Sequence, residues 1–378
     1  MIKGKKSMWL LIASVLVILG IVIVILTACS SNWDITKFDT KKYEIKEYVI
    51  CDGFNNILIN CDDADITIKK ANDGINKIVC NETKRSTYRV EIIGENAEIN
   101  LVDERRWYDY ISIFSFNKKF ITVYLCDTEY ESLNIEVKTG DILINSDFTF
   151  GDVQINGRTG DIKMYASASS LKAKISTGEI DIANAEFGSI ELLGTTGDIN
   201  LESINCSGDI YAEIDTSDIE VENVTCHSLN LKGGTGDVEI SDISIDELSV
   251  TISTGDIELL DAVAGSISLN TTSGNVHVEN TKSTVFSSDA NTGSIEMDSL
   301  ISESINVTRS TGDVEFELCD ANDIIITTGT GSVTGSLLSG KTFITKTDTG
   351  KVRVPENTPN GKCNITTSAG KIIITVAK

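Results

Sequence analysis

Apolar and polar residues alternate along most of the chain beyond residue 139, and the alternation restarts at a recurring phrase, Thr-Gly-Asp-Ile-x-Ile. Counted from the glycine of each phrase as position zero, positions two, four, twelve and fourteen are apolar in most copies. This period-two pattern is typical of strands with one buried face. Successive phrases lie 18 to 20 residues apart, and their zero positions are Gly140, Gly160, Gly178, Gly197, Ser217, Gly236, Gly255, Gly274, Gly293, Gly312, Gly331, Gly350 and Gly370.

A fixed period near twenty residues indicates stacked structural repeats. Each repeat supplies two short strands, with one turn at the Thr-Gly pair and another near positions six to ten. Glycine at position zero fits a corner that needs a positive φ or close backbone approach. Because one repeat cannot bury its apolar face alone, like strands stack in parallel. The sequence therefore predicts an all-β parallel β-solenoid of about 13 coils of ~19 residues, right-handed by the crossover rule.

Residues 40–137 lack this period but still contain strand-like stretches, separated by turn signals such as Asp52-Gly53. A solenoid needs its end covered, and atypical terminal units are expected. The predicted organisation has three parts. Residues 1–29 are a membrane anchor or signal segment, residues 30–137 an N-terminal β cap region, and residues 138–378 the β-solenoid repeats.

The N-terminal segment predicts export and a membrane. Residues 8–28 carry no charge and are long enough to cross about 30 Å of hydrocarbon as a helix. Lysines before this run predict a cytoplasmic N-terminus and an extracytoplasmic C-terminal body. Residues 26–29, ending in Cys29, also resemble a bacterial lipobox, so a lipoprotein on the outer face of the cytoplasmic membrane is the alternative. The apolar run is longer than a usual signal core, which favours a single-pass anchor.

A family resemblance rests on the strand Phe120 to Leu125, which runs into Lys138-Thr139-Gly140-Asp141-Ile142 and the later Thr-Gly-Asp-Ile copies. These residues resemble the candidate-adhesin β-strand-repeat family, domain of unknown function number 4097, with Cys126 where members have proline. Residues 33–38 resemble clostridial-type membrane-anchored members. The resemblance implies the fold and an extracytoplasmic location, and it offers no catalytic residues to carry over.

Acidic residues follow many of the repeat glycines, and stacking places them in a ladder. A calcium ladder is one interpretation, since calcium accepts several carboxylate oxygens. The favoured alternative is that each aspartate accepts hydrogen bonds from turn amides while its charge faces water. We therefore expect no metal and no cofactor. The residues of the candidate ladder are Asp198, Asp218, Asp237 and Asp256.

One basic and aromatic stretch lies in the cap region. Aromatic residues beside arginines are typical of binding hot spots, although they also suit a cap that covers a solenoid end. The binding candidates are Arg105, Arg106, Trp107, Tyr108 and Tyr110.

Cysteine and histidine usage limits the chemistry. Nine cysteines form no C-x-x-C pair, and the two histidines fall at different phases of the repeat. Cys206 and Cys226 share one phase of adjacent repeats. They are either two small hydrophobes in an inward ladder or a pair within disulfide distance. The sequence therefore has too few suitably spaced residues for a histidine-based catalytic triad or metal cluster.

The net charge of −24 argues against nucleic-acid binding. The near-constant period leaves no room for the long loops that build an active-site cleft, so we expect no enzyme activity. The predicted function is a non-enzymatic, membrane-tethered extracytoplasmic protein, an adhesin or scaffold that binds an unknown envelope or extracellular ligand. The alternative is an envelope-sensing accessory that acts through a membrane protein partner.

The C-terminal end of the rod is the expected contact with other chains. The sequence ends on the apolar stretch Gly370 to Lys378, with no polar segment to cover the final coil, and an uncovered strand invites edge pairing. Positive charge at this end, from Lys351, Arg353, Lys371 and Lys378, opposes a head-to-head dimer. We therefore expect a monomeric body at low salt.

Overall fold

The computed structural model describes residues 3–30, 43–106 and 118–377. One α-helix, α1, spans Lys3–Ser30, and the remaining regular structure in these ranges is β-strand. Within the described residues, no helix is both long enough and apolar enough to cross a membrane. The membrane-spanning segment expected at residues 8–28 therefore stays a prediction.

In the described ranges, thirty strands join into one sheet. The first seven are β1 (Glu44–Val49), β2 (Asn56–Asp63), β3 (Asp65–Lys70), β4 (Lys77–Glu82), β5 (Ser86–Ile93), β6 (Asn96–Asp103) and β7 (Phe120–Leu125). The next eleven are β8 (Glu129–Thr139), β9 (Ile142–Ile144), β10 (Thr149–Thr159), β11 (Ile162–Met164), β12 (Ser167–Thr177), β13 (Ile180–Thr196), β14 (Ile199–Cys206), β15 (Asp209–Thr216), β16 (Ile219–Thr235), β17 (Val238–Thr254) and β18 (Ile257–Leu260). The last twelve are β19 (Val263–Ser273), β20 (Val276–Glu279), β21 (Lys282–Thr292), β22 (Ile295–Asp298), β23 (Ser304–Thr311), β24 (Val314–Cys319), β25 (Asp323–Thr330), β26 (Val333–Leu337), β27 (Thr342–Thr349), β28 (Val352–Arg353), β29 (Lys362–Ala369) and β30 (Ile372–Val376).

Equivalent strands of successive coils pair in parallel and in register, which confirms the predicted all-β parallel solenoid. In the long middle section, β17 pairs with β18 and β19, and Thr254 lies opposite Ser273, one 19-residue period away. The apolar columns of neighbouring coils meet in one continuous core. In the coil that starts at Gly255, the buried residues are Ile257, Leu259, Ala262, Ala264, Ile267, Leu269 and Thr271.

Each regular coil turns three times rather than twice. The buried positions are two and four, then seven and nine, then twelve, fourteen and sixteen, so the alternation breaks at positions six, ten and zero. The predicted single turn near positions six to ten is therefore two turns. At position six, eight coils adopt a left-handed backbone, with φ between 50° and 58°, which asparagine, aspartate and serine tolerate better than bulky residues. These residues are Asn184, Ser203, Asn223, Asp242, Asp261, Asn280, Ser299 and Leu318.

The glycine corner, formed by the zero positions of the coils, needs glycine for two reasons. Gly255 has a φ of +141°, a conformation that L side chains rarely adopt. A Cβ at this position would lie 1.9 Å from the carbonyl oxygen of Gly236 in the preceding coil. The same close approach recurs along the stack, so the predicted reason for the glycine repeat is confirmed.

The cap region continues the solenoid before covering its end. Strands β2 and β3 form a coil that pairs in parallel with β8 and β9, and Ala64 takes the place of the corner glycine. Strands β6 and β7 form a further coil beneath it. Strands β4 and β5 then pair antiparallel with β7 and β6, and β1 pairs antiparallel with β4. The predicted boundary between residues 137 and 138 falls inside β8.

At the opposite end, the order of the stack differs from the order of the chain. Strand β29 lies between β25 and β27, and β30 lies between β26 and β28. The terminal coil is therefore formed by β27 and β28, whereas residues 362–376 fill the level below it. The expectation that the C-terminal stretch forms an uncovered edge is wrong for Ile372 and Ile373, which are paired on both sides, whereas residues 374–376 pair with β26 alone.

Candidate functional site

The acids at the glycine corner are held by backbone amides of the neighbouring coil. The Oδ1 atom of Asp218 accepts a hydrogen bond from the amide of Asp237 at 2.7 Å, and Asp237 accepts one from Asp256 at the same distance. Asp198 likewise accepts from Asp218 at 3.2 Å. One oxygen of each carboxylate is thus used by the next coil while the charge stays exposed, as in the favoured interpretation of the ladder.

Within the described residues, no group of three or more histidine, cysteine, aspartate or glutamate side chains has a geometry suited to a metal ion. The amide hydrogen bonds explain the arrangement of Asp198, Asp218, Asp237 and Asp256, since they orient each carboxylate along the stack rather than toward a shared centre. The expectation of no metal requirement stays a prediction.

The ladder is one edge of a larger acidic face, defined here as positions one, three and five of the seven coils that start between Gly197 and Gly312. These positions hold fifteen aspartates or glutamates, one histidine, and neither lysine nor arginine. Strand register places the position-three side chains in one row, Glu220, Glu239, Glu258, His277, Glu296 and Glu315. The acids at position one stood out in the sequence because they follow the repeat glycines, whereas the repeated glutamate at position three was an equally readable signal that was missed.

Glu239, in the middle of the acidic face, lies between two other glutamates. Partial burial, followed by the charges of Glu220 and Glu258 on either side, raises the pKa of Glu239 above its ordinary value. Like charges on adjacent strands are destabilising unless a counter-charge screens them. The acidic face is therefore a flat surface whose own charges favour the approach of cations.

The cap corner is the position equivalent to the glycine corner in the coil formed by β6 and β7. The insertion that connects β6 to β7, residues 104–119, is far longer than the two residues that connect the equivalent strands of the regular coils. The ends of this insertion are fixed by Asp63. The Nζ atom of Lys119 lies 2.8 Å from Asp63 Oδ1, and the Nη1 atom of Arg105 lies 3.2 Å from Asp63 Oδ2.

Both cations are nearly buried, with side-chain exposures of 6% for Lys119 and 7% for Arg105. Arg105 also contacts Asp103 at 2.6 Å, and hydrogen bonding to Asp103 raises the pKa of the guanidinium further. Arg105 is therefore a structural clamp of the insertion in this structure. Of the other binding candidates, Arg106 is at the end of the described range, whereas Trp107, Tyr108 and Tyr110 lie outside the described residues.

A shallow cleft of about 330 Å³ lies beside the cap corner. It is lined on one side by Lys118 and Lys119 and on the other by Gly140 and Gly160 of the first regular coils. Tyr43, the first described residue after the N-terminal helix, also lines it. The cleft thus brings together residues of the cap, the start of the solenoid and Tyr43.

Comparisons with known proteins agree with the repeat architecture. The family model for Toastrack DUF4097 matches residues 54–213 and 206–300. None of the curated proteins compared with the chain matches it.

Among solved structures, a candidate adhesin from Bacteroides fragilis is 14% identical, covers 89% of this chain and 98% of its own, and has a TM-score of 0.22. A candidate adhesin from Parabacteroides merdae is 13% identical, with coverages of 79% and 97% and a TM-score of 0.26. A candidate lipid-binding protein from Parabacteroides distasonis is 14% identical, with coverages of 90% and 98% and a TM-score of 0.23. Similarity at these TM-scores carries no argument about function.

The family match is the informative result, because its two segments together cover residues 54–300, more than half of the chain, and include both the cap coil and the regular coils. The chain belongs to the Toastrack DUF4097 family.

Proposed function

We propose that this protein is a non-enzymatic scaffold that is tethered to the cytoplasmic membrane and presents its solenoid outside it. The observation that carries the proposal is the acidic face, a flat and regular surface formed by seven successive coils. Such a surface suits repeated, additive contacts with an extended cationic component of the cell envelope or the surroundings. The family match supports the β-repeat scaffold.

The regular coils argue against an enzyme. Catalytic groups must converge on a reacting atom, and active sites are commonly built by loops on a rigid scaffold. From Ser217 to Gly350 the zero positions are 19 residues apart at every step. The longest connection between described strands, residues 104–119, joins β6 to β7, and its described ends are held in ion pairs with Asp63.

The membrane tether rests on the sequence. Residues 8–28 contain no charged side chain, and α1 spans this run without a break. Three lysines precede the run, which by the positive-inside rule orients the solenoid outward. A lipid on Cys29 is the alternative tether, and either one holds residues 30–378 at the outer face of the membrane.

The tether is tested by adding protease to intact cells from which the wall has been removed. We expect the solenoid to be degraded while a cytoplasmic marker survives. Full protection of the solenoid would contradict the topology. Replacement of Cys29 by alanine distinguishes the anchors, since only the lipoprotein loses lipid labelling and changes its processing.

Binding through the acidic face is tested with the full-length protein in detergent. Polylysine is a suitable probe of an extended cation, and its affinity should fall steeply with salt. The variant Glu239→Gln/Glu258→Gln should weaken binding several-fold. The matched control, Glu129→Gln/Glu131→Gln, removes two exposed acids outside the acidic face and should bind as the unmodified protein does. Equal loss in both variants would show that only net charge matters.

A second function, an envelope-sensing accessory, is favoured by the cap corner. Tyr43 and Lys118 line the same cleft beside the cap corner. Crosslinking from Lys118 to a membrane protein in intact cells, with Lys172 in the regular coils as the control position, would support this function.

A further inference from the structure

Two cysteines are neighbours in one column of the solenoid. Position nine of four successive coils holds Phe187, Cys206, Cys226 and Ile245. The strand register pairs Phe187 with Cys206 and Cys226 with Ile245. It also pairs Asn205 with Thr225, the residues immediately before the two cysteines. Cys206 and Cys226 therefore lie side by side on adjacent parallel strands.

This spacing is compatible with a disulfide bond. Adjacent parallel strands are about 4.8 Å apart, which falls inside the range of Cα separations that disulfides bridge. The Cβ atoms must approach to about 3.8 Å, which is closer than a regular parallel ladder brings them. Some local adjustment of the backbone is therefore needed.

The turn next to the cysteines allows this backbone adjustment. The coil from Gly197 to Ser217 is one residue longer than the coil that follows, and the extra residue lies directly after Cys206. The amide of Ser207 donates to the carbonyl of Phe187 at 2.9 Å, whereas the amide of His227 donates to the carbonyl of Gly208 at 2.9 Å. The in-register ladder is thus interrupted beside the pair.

The arrangement is specific to this pair. In the strand pairings that the structure describes, other inward-facing cysteines lie opposite side chains that cannot form a disulfide. Cys61 lies opposite Val137, Cys80 opposite Ile121, Cys319 opposite Leu337, and Cys363 opposite Phe343 and Ile324.

The two thiols differ in access. Cys206 is 3% exposed and contacts the core, whereas Cys226 is only partly buried. Burial, followed by the neighbouring Cys206, raises the pKa of Cys226 to about 12. Little thiolate is present at neutral pH, so oxidation should be slow and should accelerate with pH.

We propose that Cys206 and Cys226 form a disulfide that cross-links two coils when the protein meets a disulfide oxidant. The thiolate of Cys226, the more accessible residue, attacks a sulfur of the oxidant and releases one thiolate. The thiolate of Cys206 then attacks the Cys226 sulfur of the mixed disulfide and releases the second. Two cysteine thiols are oxidised, one external disulfide is reduced to two thiols, and the two protons go to the released thiolates.

The test uses the full-length protein in detergent, oxidised glutathione as the oxidant, and digestion with trypsin after alkylation. No lysine or arginine lies between Lys174 and Lys232, so the fragment 175–232 contains both cysteines and no others. We expect this fragment to lose two hydrogen atoms and to resist alkylation. The rate of disulfide formation should rise close to tenfold from pH 7 to pH 8, since the thiolate fraction of Cys226 rises tenfold.

Single variants assign the order of the two steps. Cys206→Ser should leave Cys226 as a stable mixed disulfide with glutathione, whereas Cys226→Ser should leave Cys206 unmodified in the folded protein. The oxidised protein should melt a few degrees higher than the Cys206→Ser/Cys226→Ser variant, because the bond closes a loop of about twenty residues.

The matched control is Cys363→Ser, which removes a buried cysteine with no cysteine neighbour and should leave the crosslink unchanged. The proposal would be overturned if fragment 175–232 stayed fully reduced while the partly buried Cys126 acquired glutathione in the same sample. Equal modification of Cys206 in the Cys226→Ser variant would overturn the assigned order.

Discussion

The middle of the rod and its two ends are built from the same strands but follow different rules. Between Gly236 and Gly312, each coil pairs with the coils immediately before and after it in the chain. At the ends, β2 pairs with β8 across more than sixty intervening residues, and β29 inserts between strands that precede it. Local repetition therefore determines the coil, whereas long-range pairing determines where the stack stops.

The largest difference between the middle of the rod and its end should appear when one coil is removed from each. Deleting residues 255–273 takes out one full period and joins Thr254 to Gly274 in phase, so we expect a shorter rod whose melting temperature changes by only a few degrees. Ending the chain at residue 361 removes β29 and β30 from inside the stack. Residues 338–361 should then lose most of their protection in hydrogen-exchange measurements. Retained protection would show that β27 can pair directly with β25.

The glycine corner of the middle coils provides the next largest effect. Gly255→Val introduces a Cβ at 1.9 Å from the carbonyl of Gly236 and an unfavourable φ. We expect it to lower the free energy of unfolding by at least about 4 kcal/mol. Glu258→Val, on the exposed face of the same coil, should cost several times less. Denaturant titration measures both, and similar costs would contradict the steric account of the repeat.

The cap depends on ion pairs where the middle coils depend on glycine. Asp63→Asn leaves the nearly buried Lys119 and Arg105 without their shared carboxylate, so we expect a loss of about 3 kcal/mol. The matched control is Asp65→Asn. Its partner Lys118 is 75% exposed, and the exposed pair should contribute at most about 1 kcal/mol. Thermal denaturation that ranks the two variants equally would exclude a special role for Asp63.

A smaller effect concerns pH. Because the folded-state pKa of Glu239 is raised, the folded protein binds a proton that the unfolded chain has already released. The contribution of this group to stability is therefore full below the unfolded pKa and is lost as pH rises through the folded pKa. Mild acidification should stabilise the middle coils, and Glu239→Gln should reduce that gain. Melting curves at pH 7 and pH 5 provide the measurement, and an unchanged gain in the variant would contradict this account.

Calcium should have the smallest effect. The ladder carboxylates already accept amide hydrogen bonds, so millimolar calcium should shift the melting temperature by no more than a few degrees through general screening. A rise of more than about 10 °C would require specific sites. Asp237→Asn/Asp256→Asn should abolish such a rise if it arises from the ladder.

The sequence predicted what depends on local spacing. Gly255 and its equivalents gave the coil length, and Ile257 and Leu259 gave the buried face. The left-handed corner at position six was harder to recognise, because Asp261, Ser299 and Leu318 share the conformation without sharing a residue type. The position of β29 could not be predicted from the repeat spacing. A chain that stacked its coils in sequence order would show the same spacing of glycines as the observed order, in which β29 lies between β25 and β27.

The candidate site was predicted only in part. Arg105 carries the chemistry expected of a binding residue, yet its nearest groups are Asp63 and Asp103, whose positions depend on pairing between distant cap strands. Recognising the acidic face required the strand register of neighbouring coils. Glu239 and Glu258 are 19 residues apart in the sequence and directly opposite each other in the sheet.

The insertion of β29 and β30 also affects how the rod is made. Because a ribosome releases residues 342–353 before residues 362–376, β27 and β28 emerge before the strands on which they rest. Earlier coils can add to the stack one after another as they are synthesised, whereas the last two levels must assemble together. A nascent chain that stalls after residue 353 therefore presents unpaired β-edges to chaperones and proteases, and release of the remaining residues closes them.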